Sequence, residues 1–158
     1  MKEIDIHEGI DNTLLILNHR LQREIEVIKE YGNFPLFECY RAQLNQAFIN
    51  ILSNTIDALL DQKSHLVKSK KIIIYTLKID DVYIKVRIRD NGSGIAPEIK
   101  NKLFDPFFTT KIVGKGTGLG LSIFYQIIDK HQGKIEVISE LEQGAEFAII
   151  LPIKTQTH

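Results

Sequence analysis

The chain has 158 residues, enough for one domain with a substantial core, and 44% of them are apolar, as in soluble globular proteins. Its 20 basic and 20 acidic side chains cancel, which argues against a nucleic-acid binder. Cys39 is the only cysteine and allows no internal disulfide, no apolar run approaches transmembrane length, and the acidic start does not read as a signal peptide, so a cytoplasmic location without membrane contact is expected.

Over residues 7–22, Ile10, Leu14, Leu15, Leu17 and Leu21 recur at roughly helical spacing, with Asp5 as the N-cap. Glu24 to Lys29 alternates and predicts a strand; Gly32, Asn33 and Pro35 punctuate it, and Leu36 to Cys39 is a short extended piece. Residues 41–61 predict a long helix with Leu44, Phe48, Ile51, Leu52 and Leu59 on one face. At 100° per residue, Gln43, Gln46, Asn50, Asn54, Asp57 and Asp61 fall within a narrow arc opposite. Asn and Asp each cost about half a kcal/mol against alanine in a helix, so this face needs a compensating role. Amide and carboxylate oxygens are hard ligands that suit Mg²⁺. Asn50 and Asn54 stand one turn apart, about 6 Å along the axis. A merely polar, solvated face is the alternative.

Residues 62–70 predict a loop, and Lys71 to Ile79 a strand. Asp80-Asp81 makes a hairpin turn. Val82 to Asp90 then alternates, with Val82, Ile84, Val86 and Ile88 on one face and Tyr83, Lys85, Arg87 and Arg89 on the other. Asp90 continues in phase with the apolar face, so the strand aims a carboxylate toward its buried side. Such a group must be satisfied. Asn91-Gly92 could do so locally as an Asx turn, or Asp90 could face a pocket and accept from an amine.

From Asp90 to Ser122 the chain holds six of its ten glycines. Gly114, Gly116, Gly118 and Gly120 alternate, and a helix from about Gly118 follows. Unguarded N–H groups beside a helix start make an anion site, so a phosphate-binding lid is expected. Phe104, Phe107 and Phe108 argue against a flexible linker. The P-loop pattern fails, because Gly114-Lys115 is followed by Gly116; the dinucleotide pattern fails at Leu119 and Leu121. The helix runs to Lys130 and ends in a C-cap at Gln132-Gly133. Two more strands, Lys134 to Ser139 and Ala145 to Leu151, flank a turn with Gly144, and Pro152 closes the last. Five strands, mostly antiparallel, with three main helices predict an α/β two-layer sandwich with the helices on one sheet face.

These residues resemble the catalytic ATP-binding domain of sensor histidine kinases, in the superfamily shared with gyrase, MutL and the large heat-shock chaperone. Gln46, Asn50, Asn54, Asp57 and Ala58 are similar to the N box. Asp90-Asn91-Gly92, Gly94 and Ile95 are similar to the first glycine box, Phe104 to Lys111 to the F box, Gly114 to Ser122 to the second glycine box, and Gly144-Ala145 with Phe147 to a last, weak one. The boxes span about residues 41–150, and their order and spacing are specific. The resemblance implies a Bergerat-type fold that binds ATP and Mg²⁺. It implies that Asn54 ligates Mg²⁺ with Asn50 in support, and that Asp90 accepts from the adenine amine. Gly92 and Gly94 then pass close to the base, and Gly116, Thr117, Gly118, Leu119 and Gly120 offer N–H groups to the phosphates. Lys111 and Lys115 supply phosphate charge, and Asp57, Ile95, Phe104, Thr110 and Leu121 complete the nucleotide site. Asn50 and Lys111 are the candidate catalytic residues. In the ATPase branches the position of Asn50 resembles a water-activating glutamate. An amide takes no proton at neutral pH, so transfer to a histidine is expected over hydrolysis.

A phosphoacceptor histidine on a dimerising hairpin is not found. His7-Glu8 is followed by Gly9 and Asp11, where an uninterrupted helix is expected. His19 and His65 read as surface residues, and His131 as a helix-end residue whose charge suits the dipole. The expectation is therefore a single catalytic domain over residues 1–158, monomeric and not phosphorylating itself. It would act on a separate histidine-bearing dimerisation domain, with a response regulator downstream. A nucleotide-sensing module and a gyrase-type ATPase remain as alternatives.

Overall fold

Two alternating segments make the centre of the sheet. β4 (Lys70–Ile79) and β5 (Tyr83–Asp90) pair antiparallel, Ile74 opposite Ile88 and Ile72 opposite Asp90. Asp80 turns the hairpin at φ 54°, a left-handed conformation that a short polar side chain tolerates. The computed structural model describes residues 2–21, 25–33, 37–60, 69–80, 82–92, 118–140 and 144–153. Within them, β1 (Lys2–Ile4), α1 (Ile6–Ile16), α2 (Asn18–Leu21), β2 (Ile25–Tyr31), β3 (Phe37–Cys39) and α3 (Arg41–Leu60) precede the hairpin. α4 (Gly118–Lys130), β6 (Lys134–Glu140) and β7 (Gly144–Pro152) follow it. The strands form a five-stranded sheet in the order β2-β4-β5-β7-β6 and a two-stranded ribbon, β1-β3. Only β2 and β4 in the large sheet are parallel; a parallel pair needs a crossover, and α3 lies within it.

The helices lie on one sheet face, with α3 between α1 and α4 and over β5. Leu44, Ala47, Phe48, Ile51, Leu52, Ile56 and Leu59 bury the inner stripe of α3. Each fully buried large side chain contributes on the order of 1.5–3 kcal/mol. They meet Ile72 and Ile74 of β4, Ile84, Val86 and Ile88 of β5, Phe124 and Ile128 of α4, and Ile6 and Ile10 of α1 in one core. The sandwich expected from the sequence is the fold observed. On the opposite sheet face Arg87 stacks over Tyr75 at 4.7 Å and bonds Glu146 at 2.8 Å.

Three local expectations need correction. The first helix is broken at Leu17, which caps α1 at φ −90°, ψ 3°, and α2 restarts at Asn18; Leu15, assigned to the apolar stripe, is exposed. The Asp5 N-cap is as expected, accepting from the His7 amide at 2.9 Å. Val82 lies in the turn and is exposed, so it leaves the apolar face that Ile84, Val86 and Ile88 share. The C-cap expected at Gln132-Gly133 is present: Gln132 takes the left-handed conformation (φ 61°) and the Gly133 amide returns to Ile128 O at 2.9 Å. His131 is no solvated cation at a helix end. It is 2% exposed; its Nε2 accepts from the Tyr40 amide at 3.0 Å, so Nδ1 carries the proton and donates to Ile127 O at 2.8 Å. The ring is neutral, and burial holds its pKa below the usual histidine value.

Candidate functional site

Period two in β5 carries Asp90 to the helix-facing side of the sheet, where it is 5% exposed. Oδ1 accepts from the Gly92 amide at 2.8 Å, so the Asx turn expected of Asp-Asn-Gly is present. Burial raises the pKa of Asp90 above the ordinary aspartate value, while hydrogen bonds from the Gly92 and Ala145 amides pull it back. Asn91 stitches the same turn to the head of β4: its Oδ1 accepts from the Lys71 amide at 2.8 Å, and its Nδ2 donates to Ser69 O at 2.6 Å. On the other flank Gly144, at φ 98°, abuts the strand end. A Cβ there would stand 2.0 Å from Asp90 O, so only glycine fits.

The second component is the polar edge of α3. Asn54 Nδ2 donates to Asn50 O at 2.7 Å. A carbonyl only accepts, so this bond fixes the amide with its nitrogen inward and assigns its oxygen to the opposite side. Gln46 Nε2 donates to Asn50 Oδ1 at 3.1 Å. Two amide oxygens a turn apart, both half-buried beside the core stripe, suit a hard cation. Asp57, on the same edge, is engaged by Arg20 of α2, whose second arm donates to Ser53 Oγ at 3.0 Å.

The third component is the head of α4. Its first turn begins at Gly118 and includes Leu119, Gly120 and Leu121; first-turn amides have no partner within a helix, and the dipole there favours anions. Topology brings this head to the Asp90 end of the sheet. β6 ends beside the start of β7, Glu140 opposite Gly144, and Gly144 abuts Asp90. α4 packs along β6, to which a short turn joins its tail. Its 13 residues span about 20 Å, close to the roughly 23 Å of the seven-residue strand. The end of β5, the amide edge of α3 and the head of α4 thus belong to the same helical side of the sheet.

Gly94, Ile95, Phe104, Thr110, Lys111, Lys115, Gly116 and Thr117 lie outside the described residues. Arg20 and Ser53 were missed from the sequence, and Asn91 and Ala145 were read there only as members of the glycine boxes, without the bonds described above. His7 is half-buried, its ring stacked on Tyr31 at 4.3 Å, with Nε2 2.6 Å from the Thr76 hydroxyl.

Comparison with known proteins identifies the family and the fold. A profile of the family described as histidine kinase-, DNA gyrase B- and HSP90-like ATPase matches residues 39–155. The chain is 36% identical over 157 residues to the signal transduction histidine-protein kinase AtoS of Escherichia coli K12, covering 98% of this chain and 24% of AtoS. It is 36% identical over 135 residues to sporulation kinase E of Bacillus subtilis, covering 85% of this chain and 16% of that kinase. The chain thus spans a quarter or less of these relatives. The nucleotide-free catalytic domain of histidine kinase ThkA superposes with a TM-score of 0.82 at 30% identity, covering 98% of both chains. ThkA in complex with the response regulator protein TrrA matches at 0.77 and 28%, over 96% of this chain and 41% of that one. The chain therefore belongs to the histidine kinase-, DNA gyrase B- and HSP90-like ATPase family, as an ATP-binding catalytic domain of the sensor histidine kinase type.

Proposed function

We propose that this domain binds ATP with Mg²⁺ and delivers the γ-phosphoryl group to a histidine on a separate dimerisation domain, within two-component signalling. The observation that carries the reading is Asp90: a nearly buried carboxylate at a strand end, locked by Gly92, Asn91 and Gly144, on the side of the sheet that carries the amide edge of α3. Asp90 accepts from the exocyclic amine of adenine and so selects the base. Gly92 and Gly94 let the backbone run beside the ring, and Ile95, Phe104 and Leu121 pack against it. Asn54 would supply its amide oxygen to the metal, with Asn50 in support, and the metal when bound would neutralise charge on the triphosphate. Amides of Gly116, Thr117, Gly118, Leu119 and Gly120, with Thr110, Lys111 and Lys115, hold the phosphates.

Catalysis is then mostly positioning. The imidazole nitrogen attacks the γ-phosphorus in line, the bond to the bridging oxygen breaks, and ADP leaves. The imidazole proton passes to a base brought by the partner, because Asn50 cannot take it. A response regulator is the proposed downstream acceptor, and the domain acts as a monomer.

Calorimetry with a non-hydrolysable ATP analogue, with and without Mg²⁺, tests binding. Mg²⁺-dependent heat is expected, and none at about 1 mM nucleotide would sink the proposal. Labelled ATP should then mark an added histidine-hairpin domain but not this chain alone. Steady hydrolysis by the chain alone, abolished by Asn50→Ala, would instead make it a gyrase-type ATPase.

A further inference from the structure

We infer that Asn91 is a positioning residue for base selection: its side chain carries the pairing of β4 with β5 one step past Asp90 and so fixes where the Asp90 carboxylate points. This rests on the nucleotide-binding reading above. The ladder between the two strands runs as far as the pair Ile72 and Asp90. At the next position the bond from the Asn91 amide to Lys71 O is long, at 3.4 Å. The Lys71 amide donates to the side-chain Oδ1 of Asn91 at 2.8 Å, and Asn91 Nδ2 donates to Ser69 O at 2.6 Å. A carbonyl only accepts and a backbone N–H only donates, so both ends of the side-chain amide are assigned. The side chain thus takes the part that a backbone carbonyl and amide play along a ladder, and the main chain is released to turn at Gly92.

Asp90 is aimed from two sides. Its Oδ1 accepts from the Gly92 amide at 2.8 Å, and the carboxylate also accepts from the Ala145 amide. Ala145 is placed by Gly144, which abuts both residues of the turn: a Cβ on it would stand 2.0 Å from Asp90 O and 3.1 Å from Asn91 Cα. Gly92 is placed by Asn91, because a side chain anchored at two points of the neighbouring strand leaves its own backbone little freedom. A carboxylate has about four lone-pair sites, so two amide donors orient it and leave acceptor capacity for an amine. That capacity is selective only while the direction holds, since hydrogen bonds weaken steeply once bent below about 120°. Asparagine is depleted in strands, and here it stands half-buried at a strand end with both polar atoms engaged. Without it, Asp90 keeps its charge and its burial but loses its direction. The loss then falls on recognition of the adenine amine rather than on the hold over ribose and phosphates.

The test uses calorimetry on the wild type, Asn91→Ala and Asn91→Asp. Two ligands are compared, Mg²⁺-ATP and the Mg²⁺-triphosphate of purine riboside, whose base carries hydrogen where adenine carries its amine. The wild type should prefer adenine by about tenfold or more, the difference expected for one hydrogen bond to a charged acceptor. Asn91→Ala should cut that preference to about threefold or less by losing ATP affinity, with the purine triphosphate within about threefold of wild type. Asn91→Asp keeps the shape and the Lys71 bond but loses the donor to Ser69. Its added charge weakens both ligands, so the ratio is what counts, and that ratio should lie between the other two. A site that was merely loosened would lose both affinities together and keep its preference. An unchanged preference in Asn91→Ala, or in Asn91→Asp should the alanine variant not fold, overturns the role of Asn91 and leaves the nucleotide site standing. A wild type that binds both triphosphates equally overturns base selection by Asp90 and this inference with it. One that binds neither overturns the nucleotide site as well.

Discussion

Asp90 shows how one side chain is held in a state costly to the folded chain. Burial disfavours its ionised form more than two amide donors favour it, so its pKa is raised. For an acid with a raised pKa the stability term is fully present below the unfolded value, about 3.9, and is lost as pH climbs through the folded value. At neutral pH the ionised carboxylate thus works against folding, and a ligand donating to it relieves that cost. Asp90→Asn removes the charge yet keeps an acceptor for the Gly92 amide. It should change unfolding free energy by no more than about 1 kcal/mol while weakening ATP about tenfold or more. Denaturant titration and calorimetry on one sample decide it, and matched losses would reduce Asp90 to a turn residue. That Asp90 faces inward was legible from alternation alone. The Arg20 clamp on Asp57 was not, because 37 residues separate the partners and only the packing of α2 on α3 joins them.

At the level of elements, the junction of β5 with β7 is the tightest point near the site. Gly144 combines a positive φ with backbone contact to Asp90, so Gly144→Ala is strained in conformation and in space. A loss of about 2 kcal/mol or more is expected in thermal or denaturant unfolding, together with weaker nucleotide binding. Wild-type behaviour in both would mean that the strands part freely there. Helix and strand types were readable where periodicity ran long, as in α3, β4 and β5. Short pieces escaped: β1 has three residues and no pattern, and it is a strand because β3 offers it partners, Glu3 opposite Glu38. The break at Leu17 escaped too, because apolar spacing continued through it while the backbone did not.

For the whole molecule, buried His131 and half-buried His7 contribute to the response to acid. His131 ties the tail of α4 to Tyr40, one residue before α3, and His7 joins the start of α1 to Thr76 of β4. Burial lowers both pKa values. A base with a lowered pKa contributes stability that is present above its unfolded value, about 6.5, and is lost as pH falls through the folded value. Unfolding free energy should therefore drop from pH 7.5 toward pH 5.5, and less steeply in His131→Gln; superimposable profiles would remove His131 from the account. The architecture as a whole was visible in the sequence, since binary pattern and glycine boxes agree on it, but the hydrogen-bonded seams between distant segments exist only in three dimensions. One seam makes a built-in reporter. The Ala145 amide, at the root of β7, points its hydrogen at the Asp90 carboxylate. Any purine that draws on that carboxylate redistributes its electron density, so the Ala145 resonance becomes a spectroscopic gauge of occupancy, read from within the strand and without touching the ligand.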